Sequence, residues 1–206
     1  MKKAIYVMLL LVVFTGLRAQ QQQGKVRVGF NAGVDVPGGG VGLGGDLDIR
    51  YNLQDNLNLG IKFAGDVMMK NMYVDKINLE ASATGTAISS TMVTGDYYFN
   101  EGVSLFAPFV GGGFGLYKIA NVKATVTGDQ VPEPPTNFTN YTPDRKFGAL
   151  IRGGFELGHF RLGLEYNIIP KSAVYEVTDG SVGLASNSFV KLSLGFYLGG
   201  GKWKIQ

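Results

Sequence analysis

The sequence has no cysteine, one histidine, one tryptophan and only 17% charged residues in 206. Without cysteine there is no disulfide framework, no thiolate metal site and no residue near the start to carry a lipid. Charge is thin, and no basic patch is interleaved with aromatics, so nothing points to a nucleic-acid partner. The apolar run at the start, Ala4 to Leu17, falls short of the ~20 residues of a membrane-spanning helix. Proline is scarce and clustered: Pro132, Pro134, Pro135 and Pro143 fall in one stretch, which excludes a regular central strand or helix there.

Glycine and aromatics are plentiful instead: 31 glycines, 13 Phe and 10 Tyr. The chain opens MKKAIYVMLLLVVFTGLRAQ, with Lys2 and Lys3 before an apolar core and Ala19 at a cleavage-like position. This has the pattern of a secretory signal peptide over residues 1–19, followed by a polar leader at 20–24. Lys2, Lys3 and Arg18 would leave with that peptide. Lys+Arg would then fall from 19 to 16, against 16 Asp+Glu, so the formal +3 belongs to the targeting segment.

The stretch from Phe147 to Ile168 sets the pattern for the rest. Apolar residues alternate with Gly, Arg and Glu on both sides of Gly158-His159, which is the signature of a β-hairpin. A turn at Gly158-His159 pairs Leu157 with Phe160. Glu156 then faces Arg161, and Arg152 faces Glu165, opposite charges that favour this register.

Further strands are expected at Lys25 to Val36, Leu43 to Leu53, Leu57 to Val67, about Ser90 to Phe99, Val103 to Ile119 and Asn187 to Leu198. A three-residue turn at Gln54-Asp55-Asn56 sets Asp48 opposite Lys62. In Val103 to Ile119 the two faces compete, and Pro108 belongs near a strand end or a bulge. Met68 to about Ser90, Ala120 to Lys146 and Pro170 to Ser186 read as loops. The count is eight strands, with short turns at one rim and mostly long connections at the other, as in an outer-membrane barrel.

The polar face carries six cations and seven acids, among them Asp48, Lys62, Arg152, Glu156, Arg161 and Glu165. Eight strands enclose room for little more than their own side chains. The phenylalanines and aliphatics of the opposite face would overpack that space, whereas glycine and matched ions fit it. The apolar face therefore points to lipid. The expected fold is all-β, an eight-stranded antiparallel up-and-down transmembrane β-barrel over residues 25–198, with a polar tail at 199–206.

On these residues the chain resembles the small eight-stranded outer-membrane barrels typified by outer membrane protein X and the membrane domain of outer membrane protein A. The alternation, Pro108 to Gly115 and the closing strand Val190 to Leu198 carry the likeness, which spans about Lys25 to Leu198. It is similar to the "outer membrane protein beta-barrel domain" or "porin family" proteins of Gram-negative bacteria. No motif in it is diagnostic of an activity. Barrels of this kind often end on an aromatic residue read by the insertion machinery; here eight residues follow Leu198, and Phe196 is expected to supply that signal internally.

His159 lies in a short turn without a serine neighbour, so it reads as a turn residue rather than a catalytic base. Each inward carboxylate has a cation beside it, which favours structural ion pairs over an acid/base dyad. The glycine runs at 38–45 and 111–115 open no helix, so they do not read as phosphate loops. The expectation is a non-enzymatic outer-membrane protein, exported and without cofactor, with a plugged, ion-paired interior. It would act in envelope integrity or surface contact through loops Val122 to Lys146 and Lys171 to Ser186. Its expected partners are outer-membrane lipid and lipopolysaccharide, the barrel insertion machinery and a surface partner of the loops. The alternatives are an outer-membrane lipid-modifying enzyme and a soluble lipocalin-like carrier of an apolar ligand; a wide porin channel does not fit eight strands.

Overall fold

A computed structural model of the chain describes residues 23–75, 80–100, 105–127, 143–176 and 180–199. The expected signal peptide, most of the leader and the tail beyond Gly199 lie outside the described residues.

Ten strands form one sheet: β1 (Val26–Pro37), β2 (Val41–Gln54), β3 (Leu57–Asp75), β4 (Glu80–Tyr98), β5 (Phe106–Thr127), β6 (Asp144–Leu157), β7 (Phe160–Ile168), β8 (Ser172–Glu176), β9 (Gly180–Ala185) and β10 (Phe189–Gly199). Consecutive antiparallel pairing runs from β1 to β7, then from β7 to β10, and β10 returns to β1. Eight strands thus close a barrel, leaving β8 and β9 as a hairpin outside the ring. Closure satisfies the backbone of every wall strand and removes the sheet edge from the wall.

Alternation sets the two faces. On β7, Arg161, Gly163, Glu165 and Asn167 are buried, while Phe160, Leu162, Leu164 and Tyr166 are exposed. The hairpin register is Leu157–Phe160, Glu156–Arg161 and Arg152–Glu165. Gly158 takes φ of 62°, the left-handed conformation that a two-residue hairpin turn needs. Among the described residues, 35 large apolar side chains are exposed, from Leu162 at 36% to Leu184 at 72%. Those of the wall strands lie on one face of the closed sheet, in a continuous belt far larger than the apolar patch of a few hundred Å² that a typical soluble monomer exposes. Most charged residues of the wall strands are buried in the lumen.

Three expectations are corrected. Met68 to Ser90 is not a loop: β3 runs on to Asp75 and β4 begins at Glu80, in continuous register from Val67–Ala87 to Lys70–Thr84. In β4, Thr84, Thr86 and Ser90 point inward and Ala87, Ser89 and Thr91 outward, so the two faces differ little in polarity and hydropathy does not alternate. The stretch from Ala120 to Lys146 also loses both its ends to strand, since β5 continues to Thr127 and β6 starts at Asp144. Pro170 to Ser186 is not irregular either, because it forms β8 and β9. β5 extends past the start of β6 and there takes β8 in parallel, with Val122 beside Tyr175. The face of β5 is now assigned: Ala107, Phe109, Tyr117 and Ile119 are inward, and Phe106, Val110, Phe114 and Leu116 outward.

Candidate functional site: the charged lumen and the rim above it

From the short-turn rim upward, the lumen changes character three times. The lowest layer combines Tyr98, Ala107, Phe109 and Tyr197 with Arg27, Glu156 and Arg161. Glu156 accepts from Arg27 Nη2 at 2.6 Å, Arg161 Nη1 at 3.1 Å and Tyr98 Oη at 2.7 Å. The guanidinium of Arg27 stacks 3.8 Å from the Tyr197 ring centroid, and that of Arg161 lies 3.6 Å from Phe109. Stacking on a ring face adds to the ion pairs.

The next layer is built round Asp96. Its carboxylate accepts from Arg152 Nε at 2.7 Å, Arg152 Nη2 at 3.1 Å and Arg161 Nη2 at 3.1 Å, with Arg50 Nη1 at 3.6 Å. Arg152 reaches it from β6 across β5, and a glycine makes this possible. Gly111 sits between them in the same cross-strand row, opposite Asp96 on one side and Arg152 on the other. A Cβ at Gly111 would collide with Asp96 Oδ1. Gly44 has the same role higher up: a Cβ there would meet Asp66, Lys191 and Asp35, three side chains that pack together. Lys191 donates to Asp66 and lies 3.8 Å from Asp35.

The residues singled out from the sequence all line this lumen. Glu156 and Arg161 meet directly. Arg152 stands 4.0 Å from Glu165 but binds Asp96 more closely. Asp48 and Lys62 face one another in register, yet they do not form the expected pair. Lys62 crosses the lumen to both oxygens of Glu165, at 2.5 and 2.7 Å, and Asp48 accepts from Arg50, with Arg152 at 3.6 Å. In a closed barrel the far wall is within reach of a lysine, so the best partner need not be the adjacent one.

Above the ions the lumen turns apolar. Met68, Ile88, Met92, Tyr117, Ile119, Leu150, Ile169 and Phe189 form one buried cluster. Over it, an amide and hydroxyl network ties the β8–β9 hairpin down. Asn121 Nδ2 donates to Ser172 Oγ at 2.7 Å, Thr86 Oγ1 to Asn121 Oδ1 at 2.7 Å, and Lys70 Nζ to the Ser186 carbonyl at 2.7 Å. The lumen holds seven buried cations, Lys70 included, and seven carboxylates among the described residues. Buried charge on this scale is tolerable only when matched. The space left beside Asn31, Asp46 and Ser193 has the size of a single water.

His159 Nδ1 lies 3.0 Å from the Tyr197 carbonyl, and its ring packs on Phe196 and Tyr197. It fastens the β6–β7 turn to β10. Among the described residues no group of three or more His, Asp or Glu side chains is placed to hold a metal ion.

No family model matches the chain, and no curated protein matches it significantly. Solved structures do. Neisserial surface protein A superposes with a TM-score of 0.56 at 13% identity, over 85% of this chain and 97% of that one. The outer membrane protein OprG of Pseudomonas aeruginosa gives 0.49 at 12% identity, over 85% and 96%. The N-terminal β-barrel domain of OprF from the same organism gives 0.43 at 15%, over 85% and 98%. The first of these carries the comparison. The fold of this chain is that of the small eight-stranded outer-membrane β-barrels.

Proposed function

We propose that this chain is a non-enzymatic outer-membrane protein, exported by residues 1–19, with a closed lumen and its working surface at the long-loop rim. The observation that carries this reading is the lumen itself. Among the described residues, matched ions line its lower part, an apolar cluster lines its upper part, and the space beside Asn31, Asp46 and Ser193 has the size of a single water. A solute path through such an interior would have to break several buried ion pairs and part the apolar cluster.

The short turns then face the periplasm and the long connections face outward. Beyond the bilayer stand the ends of β3 and β4 and the β8–β9 hairpin. These are the surfaces for envelope integrity or for contact with an external partner. Insertion would be handled by the barrel insertion machinery, with Phe196 on the closing strand. The carrier reading loses support because the apolar face is the exposed one. The lipid-modifying reading requires a nucleophile beside His159 at the outer leaflet, whereas His159 belongs to a short turn and is engaged by β10.

The test is envelope fractionation with boiled and unboiled samples on a gel, followed by planar-bilayer recording. Outer-membrane partition, a heat-dependent mobility shift and no steady conductance are expected. A stable open channel in most recordings would refute the closed lumen, and solubility without detergent would refute the membrane assignment.

A further inference from the structure

The lipid-facing positions of the wall strands carry apolar residues, glycine, serine and threonine, with two exceptions among the described side chains. Lys118 on β5 and Arg145 on β6 are both exposed, and they stand directly opposite one another. Like charges in that relation destabilise a sheet. Inside the barrel the same problem has a solution. Arg27 and Arg50 also face each other, and Glu156 approaches both, at 2.6 and 3.8 Å. Outside, no described carboxylate does so. Asp144, the neighbour of Arg145, accepts instead from the Ala173 amide at 2.8 Å.

The height of the pair is set by strand length. Lys118 is 12 residues above Phe106, and Arg145 is 12 above Leu157, two apolar residues at the short-turn rim. At ~3.3 Å per residue and a ~45° tilt this is ~28 Å of height, close to the ~30 Å of a hydrocarbon core. Both cations therefore sit at the outer headgroup level. Leu116 and Phe147, paired and exposed, lie directly below them. Ser89 faces Lys118 from β4 and brings an exposed hydroxyl into the same row.

We propose that Lys118 and Arg145 form a docking site for the phosphate of an anionic lipid in the outer leaflet, with the acyl chains lying along Leu116 and Phe147. The inference rests on the membrane reading given above. The bound phosphate does outside what Glu156 does inside: it bridges two facing cations, with Ser89 as a further donor.

The test uses the full chain in detergent and native mass spectrometry with three probes: diphosphorylated lipid A, its dephosphorylated form and inorganic phosphate. Wild type is expected to retain one diphosphorylated lipid, with the dephosphorylated form about ten-fold weaker. The double variant Lys118→Gln/Arg145→Gln is expected to lose the same factor, and Lys118→Arg/Arg145→Lys to keep binding. Equal retention of the two lipids, unchanged binding by the Gln variant, or displacement of the lipid by an equal concentration of inorganic phosphate would overturn the site. Each sample is also run boiled and unboiled. Wild type lacking the mobility shift would sink the membrane reading, and the site with it, whereas a normal shift without selective lipid retention would sink the site alone. Should the Gln variant lack the shift, the lipid comparison on wild type decides.

Discussion

Replacing Asp96 by Asn changes one oxygen to an amide and removes one charge from the centre of the lumen. Asp96 is fully buried and receives three hydrogen bonds from Arg152 and Arg161, with Arg50 close by. The amide turns two donor protons towards groups that are themselves donors, and the lumen goes from seven cations against seven acids to seven against six. Breaking a buried pair by removing one partner costs about 3–5 kcal/mol. With a urea dependence of ~2 kcal/mol per molar, the unfolding midpoint should fall by about 2 M. The assay follows the heat-modifiable band through a urea series in detergent, with Lys171→Gln, an exposed change, as the control. Adding Arg152→Met to Asp96→Leu removes both members of the closest pair and should recover part of the loss relative to Asp96→Leu alone. A fall below about 0.5 M for Asp96→Asn would refute the claim that the ion network is a matched set, as would a double variant worse than the sum of its singles.

Other changes test other layers. Gly44→Val drives a side chain into Asp66, Lys191 and Asp35 and should abolish the folded band, while Gly65→Ala, which faces open space, should leave it intact. Leu194→Arg, mid-strand and 62% exposed, should cost ~2–4 kcal/mol in vesicle-refolding equilibria, whereas Leu198→Arg at the rim should cost ~0–1; equal costs would contradict the depth assignment. Asn121→Ala removes the bonds to Ser172, Asn187 and the Ala173 carbonyl and should speed protease cleavage between residues 171 and 188 several-fold with the barrel intact. No change in cleavage would mean the hairpin is held by other contacts.

The wall of the barrel was legible wherever the two faces differ in polarity. β1, β2, β6, β7 and β10 each set apolar residues against Gly, Arg, Asp, Glu or Lys, and their strands and inward charges could be read directly. The reading stopped where that contrast stops. Thr84 to Thr91 has small, mildly polar residues on both faces, so its strand character lies in Thr and Ser geometry rather than hydropathy. β5 has apolar residues on both faces because Ala107 and Phe109 belong to the lowest lumen layer and Tyr117 and Ile119 to the upper buried cluster. Register supplies only adjacent partners, so Glu156–Arg161 could be foreseen, but Arg152 reaching over Gly111 to Asp96 could not. The signal was present in Gly111, Gly113 and Gly115, an inward row of absent side chains beside charged strands. β8 and β9 left no trace, since a five- and a six-residue strand, the first joined to β5 in parallel and the second paired only with the first, carry little period of their own.

A cylinder of eight similar strands looks much the same from every direction in the plane of a membrane. The parallel seating of β8 on β5 ends that equivalence. The hairpin rises above a single sector of the wall, and Lys118 and Arg145 lie beneath it in that sector. The molecule therefore has a front. In a crowded membrane, neighbours arriving from that side meet an overhang and two charges, while those arriving from the β1–β2 side meet a smooth greasy wall. Packing between copies, or against other barrels, is thereby biased in azimuth as well as in depth.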